Sequence, residues 1–251
     1  MLNIKNLSLE HNKIKVLDNI NLYIERGTIT SIIGKNGSGK SSLVNCINDM
    51  EKYKGEITLN INNKEVNIKD LSNLEKSKKL SILPQLLIYP HILVSELIKM
   101  GRNPYLKLGQ KLSDTDYDII QKSIDAVNIE PLLDKYIDQL SGGERQKVYL
   151  AMMLIQDTEL MILDEPTTYL DLNNETEFLN LLNRLKNEFN KTIVIIMHNI
   201  TNALNYSDNI IILDNGKVCT SGNTQEVINS NIIEDIFNVK TIKYDNIYIV
   251  I

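Results

Sequence analysis

Hydrophobic and polar residues alternate along much of the first 85 residues, with the two-residue period of half-buried β-strands. This alternation predicts strands over 4–9 and 16–24. Shorter apolar runs predict further strands over 28–33, 56–59 and 80–83. A helix is predicted over 41–48, directly after a glycine-rich segment.

The pattern becomes helical after Pro84, and no strand pattern is evident in the following block. Helices are predicted over 95–100, 113–127 and 143–155. Ser95 is the predicted cap of the first helix, and Ser113 or Thr115 is the predicted cap of the second.

Strands return in the last third of the chain. Apolar runs predict strands over 160–163 and 192–197, with a helix over 173–189 between them. Two hairpins are also predicted, one around Asn215-Gly216 and one around Asp245-Asn246.

Strands that alternate with helices indicate an α/β protein with a mainly parallel sheet. The N-terminal strands are predicted to form an antiparallel β region, and the helical block to be an insertion. We therefore predict one domain over 1–251, with a core of 1–85 and 157–251 and an inserted helical subdomain of 86–156.

Composition narrows the class of protein. The formal net charge is −5, which argues against a nucleic-acid binder held by bulk charge. No apolar stretch reaches the roughly 20 residues that span a bilayer, and the N-terminus has no signal-peptide pattern. Cys46 and Cys219 have no metal-ligand spacing, so a soluble protein of a reducing, cytoplasmic compartment is expected.

The glycine-rich segment 34–41 has the sequence G-K-N-G-S-G-K-S, which fits the phosphate-loop pattern G-x-x-x-x-G-K-[ST]. A plain turn between a strand and a helix would need fewer glycines. Backbone N–H groups and the helix N-terminus can bind phosphate, Lys40 can reach the β- and γ-phosphates, and the Ser41 hydroxyl can hold Mg²⁺. The expected nucleotide-binding residues here are Gly34, Lys35, Asn36, Gly37, Ser38, Gly39, Lys40, Ser41 and Ser42.

Two carboxylates, Asp164 and Glu165, follow the apolar run 160–163. A strand that simply reaches the surface could end this way. Beside a phosphate loop, Asp164 is placed to hold the metal and Glu165 to act as the general base toward an attacking water.

A second phosphate-seeking segment is predicted at 140–146, L-S-G-G-E-R-Q. Ser141 and Glu144 form a capping-box pattern. That pattern does not explain Gly142 and Gly143, each of which costs about 1 kcal/mol against alanine in a helix. Close approach of an anion to the helix N-terminus would explain them.

The three motifs, in the chain order G-K-N-G-S-G-K-S (34–41), L-S-G-G-E-R-Q (140–146) and L-M-I-L-D-E (160–165), resemble those of the ATP-binding cassette ATPases, and the likeness covers nearly the whole chain. The resemblance implies that the phosphate-loop NTPase core binds ATP with Mg²⁺, and that Gln85 contacts the metal and senses nucleotide. It also implies that His198 contacts the γ-phosphate and that Leu170-Asp171 couples two sites. His11 stands where relatives carry an adenine-stacking tyrosine, and Asn199 replaces an acid that commonly follows the histidine.

Members of this family form head-to-tail dimers. The resemblance therefore implies an ATP-bound homodimer in which the phosphate loop of one copy and Ser141, Gly142 and Gly143 of the other enclose each nucleotide. Hydrolysis would then weaken the dimer. Because the chain lacks a membrane segment, any translocation pathway would lie on separate permease subunits, with this chain at the cytoplasmic face of the membrane.

The segments 100–106, M-G-R-N-P-Y-L, and 167–171, T-T-Y-L-D, are similar to those of bacterial importers for iron–siderophore complexes, haem and cobalamin. Such importers also use a substrate-binding lipoprotein, an indirect partner. A helix end with a proline turn would explain the first segment equally well. Alternatives are an iron–sulfur cluster assembly ATPase, a cassette ATPase for another cargo, a chromosome-organising ATPase and an inactive binding module. The segment 86–140 is too short for a coiled coil, and Glu165 argues against inactivity.

Overall fold

A computed structural model of the protein describes residues 1–168, 170–245 and 247–251. These residues form two compact units. The first unit comprises 1–71 and 192–251, and the second comprises 72–191. The predicted limits of the helical insertion, 86 and 156, are not boundaries of these units, and the insertion stays a prediction.

The strands and the α-helices are each numbered in chain order. The strands are β1 (Leu2–His11), β2 (Ile14–Ile24), β3 (Ile29–Gly34), β4 (Lys54–Ile61), β5 (Lys64–Asn67), β6 (Leu80–Leu83), β7 (Leu160–Asp164), β8 (Thr192–Ile196), β9 (Asn209–Asp214), β10 (Lys217–Asn223), β11 (Thr241–Tyr244) and β12 (Ile247–Val250). The helices are α1 (Lys40–Ile47), α2 (Asn73–Ser77), α3 (Val94–Lys99), α4 (Asp114–Val127), α5 (Gly142–Ile155), α6 (Leu172–Phe189), α7 (Ile200–Tyr206), α8 (Thr224–Asn229) and α9 (Ile232–Phe237).

The first unit contains the predicted antiparallel β region. Its four strands have the order β2-β1-β4-β5, and each neighbouring pair is antiparallel. Leu2, Ile4, Leu7 and Leu9 of β1 are buried, and a register shift between Ile4 and Leu7 interrupts the predicted two-residue alternation. Strand β5 was not predicted, because its four residues are mostly polar.

A second sheet of the first unit has parallel strands. Strand β3 pairs in parallel with β8 and β9, and every residue of β3 and β8 is buried. Burial on both faces accounts for their mainly apolar sequences, although Thr30, Ser31 and Thr192 are buried there as well. Strands β9 and β10 form the predicted hairpin, with Asn215 at φ 47° and Gly216 at φ 74° in the turn. Strands β11 and β12 form the second hairpin, although Asn246 of its predicted turn lies outside the described residues.

The second unit pairs β6 with β7 in parallel and contains α2 to α6. Ser113 is the N-cap of α4, with a capping box to Asp116, as one of the two predicted alternatives requires. The prediction that Ser95 caps α3 is wrong. The helix starts at Val94, and the N–H groups of Val94 and Ser95 donate to the carbonyls of Lys135 and Leu133. Backbone carbonyls therefore replace a side-chain cap.

Among the described residues, no helix combines the length and the apolar character that crossing a bilayer requires.

Candidate nucleotide-binding and hydrolysis site

The phosphate loop joins β3 to α1 in the first unit. Gly39 at the N-cap of α1 has φ 102°, and Gly37 has φ 79°, conformations that L-residues rarely adopt. A Cβ on Gly34 would lie 2.2 Å from the carbonyl oxygen of Leu213. A Cβ on Gly37 would meet nothing within 4 Å. The chain's own packing thus requires Gly34, whereas Gly37 lies at the open side of the loop.

Lys40 and Ser38 are the buried polar side chains of this loop. The Lys40 ammonium donates to the carbonyl oxygens of Gly34, at 2.8 Å, and Lys35, at 3.2 Å. The Ser38 hydroxyl is buried and has no hydrogen-bond partner among the described residues. Burying an unpaired hydroxyl is costly, so a ligand oxygen beside Ser38 would be favoured. The loop therefore fits a bound phosphate group.

Several of the predicted nucleotide-binding residues are exposed to solvent. Lys35, Asn36 and Ser41 are exposed and Ser42 is half-buried, so the Ser41 hydroxyl at the start of α1 is accessible to a metal ion. His11, the last residue of β1, is also exposed, and its Nε2 lies 3.6 Å from Oε1 of Glu51.

The end of the β6–β7 pair brings Gln85 and Glu165 together in the second unit. Leu83 pairs with Leu163 in parallel register, so Gln85 and Glu165 each lie two residues beyond the same pair. Gln85 Nε2 donates to Glu165 Oε2 at 2.5 Å. The two residues are 80 positions apart in the sequence, so no local pattern predicted this contact.

Glu165 has a left-handed backbone, with φ 51°. Such a conformation is uncommon for a residue other than glycine and often marks a functional site. The Thr168 hydroxyl donates to the Glu165 carbonyl oxygen at 3.1 Å and stabilises the turn. Asp164, the preceding residue, is the buried last residue of β7. Thr168 belongs to the segment 167–171 noted in the sequence, but no role beside Glu165 was predicted for it.

The glycines of the L-S-G-G-E-R-Q segment lie at the N-terminus of α5, where Ser141 is the N-cap. The Ser141 N–H donates to Glu144 Oε2 at 2.8 Å, and Ser141 Oγ accepts from the Glu144 N–H at 3.3 Å. The Ser141 N–H and the Ser141 hydroxyl, which both donate to Glu144 Oε2, hold the pKa of the Glu144 carboxyl below its ordinary value. Gly142 is exposed, and a Cβ on Gly143 would lie at an ordinary 3.4 Å from Asn174. Internal packing therefore does not demand Gly143.

Leu170 and Asp171 lie beside this helix end. A Cβ on Gly143 would be 3.6 Å from Leu170 Cδ2, and Asp171 Oδ1 accepts from the Asn174 N–H at 2.8 Å. The described structure thus groups the segment after the carboxylates with the glycine-opened helix. Tyr169, which comes directly before Leu170 in the predicted segment 167–171, lies outside the described residues.

His198 is exposed in the first unit and follows β8 and Met197. Asn199, the next residue, is the N-cap of α7, and its Oδ1 accepts from the Asn202 N–H at 3.1 Å. Asparagine is among the residues preferred at an N-cap, so Asn199 has a structural role at the start of α7.

The site residues divide between the units. His11, the phosphate loop and His198 belong to the first unit, whereas Gln85, the two carboxylates and the N-terminus of α5 belong to the second. The candidate Mg²⁺ ligands, Ser41, Gln85 and Asp164, each have a side-chain oxygen, the type of donor that suits Mg²⁺. No cluster of three or more His, Cys, Asp or Glu side chains forms a metal site in the part of the chain that the structure describes.

Comparison with known proteins agrees with this set of motifs. The family model described as "ABC transporter" matches residues 17–168. The petrobactin import ATP-binding protein YclP of Bacillus subtilis is 37% identical over 241 residues, covering 95% of this chain and 93% of that protein. The iron(3+)-hydroxamate import ATP-binding protein FhuC of the same species is 36% identical, covering 89% and 82%.

A solved structure of the ATP-binding cassette MJ0796 is also similar. It is a dimer in a post-hydrolysis state with ADP and phosphate bound. Its TM-score is 0.74 at 27% identity, and the match covers 89% of this chain and 99% of that one. The fold and the motifs together define an ATP-hydrolysing cassette. The chain belongs to the ABC transporter family.

Proposed function

We propose that this chain is the ATP-hydrolysing subunit of an importer that takes up an iron–siderophore complex, or a related iron chelate, through a separate membrane permease. The supporting observation is similarity over almost the full length of both chains to a petrobactin import protein and a hydroxamate import protein. The segment 101–105, G-R-N-P-Y, is consistent with this subgroup.

In the proposed mechanism, the N–H groups of the phosphate loop and Lys40 bind the β- and γ-phosphates. Ser41, Gln85 and Asp164 would hold Mg²⁺, which supplies charge neutralisation to the phosphates. Oxygen donors and a single carboxylate fit that role, because Mg²⁺ in nucleotide sites usually keeps water and phosphate ligands.

Glu165 is the proposed general base. It accepts a proton from water as the water oxygen attacks the γ-phosphorus, the bond to the β-phosphate oxygen breaks, and ADP leaves. Gln85 orients the Glu165 carboxylate through the 2.5 Å hydrogen bond. His198 is proposed to donate a hydrogen bond to the γ-phosphate. His11 is proposed to stack on the adenine ring.

A second copy completes the proposed site. The bare N-terminus of α5, with Ser141, Gly142 and Gly143, would bind the γ-phosphate held by the other copy. Hydrolysis would then remove the group that bridges the copies and allow them to separate. The proposed location is peripheral, at the cytoplasmic face of the membrane, against the permease. A substrate-binding lipoprotein would deliver the cargo, and nucleic acid has no part in this cycle.

Uptake of radioactive iron tests the cargo. Cells that lack this gene should lose uptake of a ⁵⁵Fe-labelled siderophore, and the wild-type gene should restore it while Glu165→Gln should not. Unchanged uptake of catecholate and hydroxamate chelates in the deletion strain would refute iron import. Co-purification with soluble scaffold proteins in place of a permease would favour cluster assembly.

A further inference from the structure

The G-R-N-P-Y segment, 101–105, is directed into the second unit. It forms part of the 3-10 helix Met100–Tyr105, and Arg102 is 6% exposed. A Cβ on Gly101 would lie 2.6 Å from the carbonyl oxygen of Met152, so only glycine permits this approach to α5. The segment therefore packs against α5 at Gly101 and Arg102.

Arg102 links three elements through its guanidinium group. Nε donates to Asp116 Oδ1 at 2.7 Å, in the first turn of α4. Nη1 donates to the carbonyl oxygen of Ile155, the last residue of α5, at 3.2 Å. The guanidinium carbon lies 3.9 Å from the centre of the Tyr105 ring, within the range of a cation–π contact. A lysine could not make all three contacts, because it lacks the planar fork.

Tyr105 and Gln156 extend this connection to the sheet. The Tyr105 hydroxyl donates to the Gln156 carbonyl oxygen at 3.1 Å. The Gln156 side-chain amide donates to the carbonyl oxygens of Ser77, at 2.6 Å, and Leu80, at 3.3 Å. Leu80 is the first residue of β6, so the end of α5 is joined to the start of β6 by side-chain hydrogen bonds.

The opposite ends of these two elements carry candidate site residues. Helix α5 begins after Ser141, and β6 ends two residues before Gln85. The 14 residues of α5 span about 21 Å, so a tilt of about 10° at the joined end would move the glycine end by roughly 4 Å. A displacement of about 1 Å can cost a hundredfold in rate.

From these contacts we propose that Arg102, Tyr105 and Gln156 are positioning residues for ATP hydrolysis. They join the end of α5 to the start of β6 and thereby set where the Ser141 end of α5 lies relative to Gln85. This inference rests on the proposed function of the Ser141 end. The proposal also gives the G-R-N-P-Y segment a role in hydrolysis, because two of its residues, Arg102 and Tyr105, make the hydrogen bonds to the end of α5.

Two variants test the proposal with different risks to folding. Tyr105→Phe removes one hydroxyl and keeps the ring. The double variant Arg102→Met with Asp116→Asn replaces the buried ion pair by neutral groups, a change that often leaves stability intact. Lys122→Met, at an exposed position of α4, is the matched control. Each purified chain is assayed for kcat, for the Kd of ATP and for Tm, with kcat measured well below Tm.

We expect kcat to fall about threefold in Tyr105→Phe and at least about tenfold in the double variant, with the Kd of ATP within twofold of wild type. Lys122→Met should match wild type. An unchanged kcat in both test variants would overturn the proposal, whether or not Tm falls. So would parallel losses of kcat and nucleotide affinity, since these would indicate general disruption. Absence of ATPase activity in the wild-type chain, both alone and together with its permease, would instead refute the proposed function.

Discussion

Gln85 and Glu165 are joined by a hydrogen bond of 2.5 Å at the end of two parallel strands. The donor is an amide, so it orients the carboxylate but cannot protonate it. The left-handed backbone of Glu165 and the Thr168 hydroxyl on its carbonyl oxygen also set its position.

The first prediction concerns the base. Glu165→Gln should lower kcat at least about a hundredfold, because an amide cannot accept a proton from water. The change keeps an oxygen that can accept the Gln85 hydrogen bond, so ATP binding should persist. With ATP bound and not hydrolysed, the variant should accumulate as a dimer, which light scattering would detect. Glu188→Gln, on the exposed face of α6, is the control that should hydrolyse normally. Normal turnover by Glu165→Gln would remove this residue from the base role.

The second prediction concerns the partner of the base. Gln85→Ala should lower kcat about tenfold or more, with a smaller effect on ATP affinity, because the carboxylate loses its orienting donor. Gln121→Ala removes an exposed amide from α4 and should leave turnover unchanged. Equal kcat in Gln85→Ala and wild type would show that the hydrogen bond has no part in hydrolysis.

The sequence predicted both strands that meet at this site but not their adjacency. Apolar runs at 80–83 and 160–163 were visible, whereas parallel pairing is set by packing between distant segments. An isolated glutamine carries no local signal. The resemblance to a known family, and not periodicity, pointed to Gln85.

Other elements were missed or misplaced for local reasons. Helices α7, α8 and α9 have only six or seven residues each, too few for a clear helical period. Ser95 had the right chemistry for a cap, yet carbonyls of Leu133 and Lys135 bind the N–H groups at the start of α3. The inward packing of Arg102 was equally invisible, since an exposed proline turn has the same sequence pattern.

The third prediction separates two lysines of the phosphate loop. Lys40 is buried and bonded to loop carbonyls, whereas Lys35 is exposed. Lys40→Ala should raise the Kd of ATP about ten- to a hundredfold, the loss expected for a charge-assisted hydrogen bond of 1.5–3 kcal/mol. Lys35→Ala keeps its backbone N–H and should bind as wild type does. Titration calorimetry measures both, and an unaltered Kd in Lys40→Ala would contradict the phosphate-loop assignment.

The fourth prediction concerns the N-terminus of α5. Ser141→Arg should abolish hydrolysis while leaving ATP binding to the monomer largely intact, because the bulky cation would block the surface offered to a second copy. The variant also loses a helix cap worth about 1 kcal/mol. Ser72→Arg loses the equivalent capping box of α2 and controls for that cost. Loss of both binding and hydrolysis in Ser141→Arg would point to misfolding, and full activity would exclude the two-copy site.

The last prediction concerns the base of the nucleotide. His11 has a smaller ring than the tyrosine that the family resemblance implies at this position, and Glu51 Oε1 lies 3.6 Å from its Nε2. His11→Tyr should therefore tighten ATP binding about three- to fivefold through more extensive stacking. Binding of inorganic tripolyphosphate, which has no base, should not change and serves as the internal control. If calorimetry gave tighter binding of both ligands, the effect would lie in the phosphate loop, and an unchanged Kd of ATP would show that His11 does not contact the adenine.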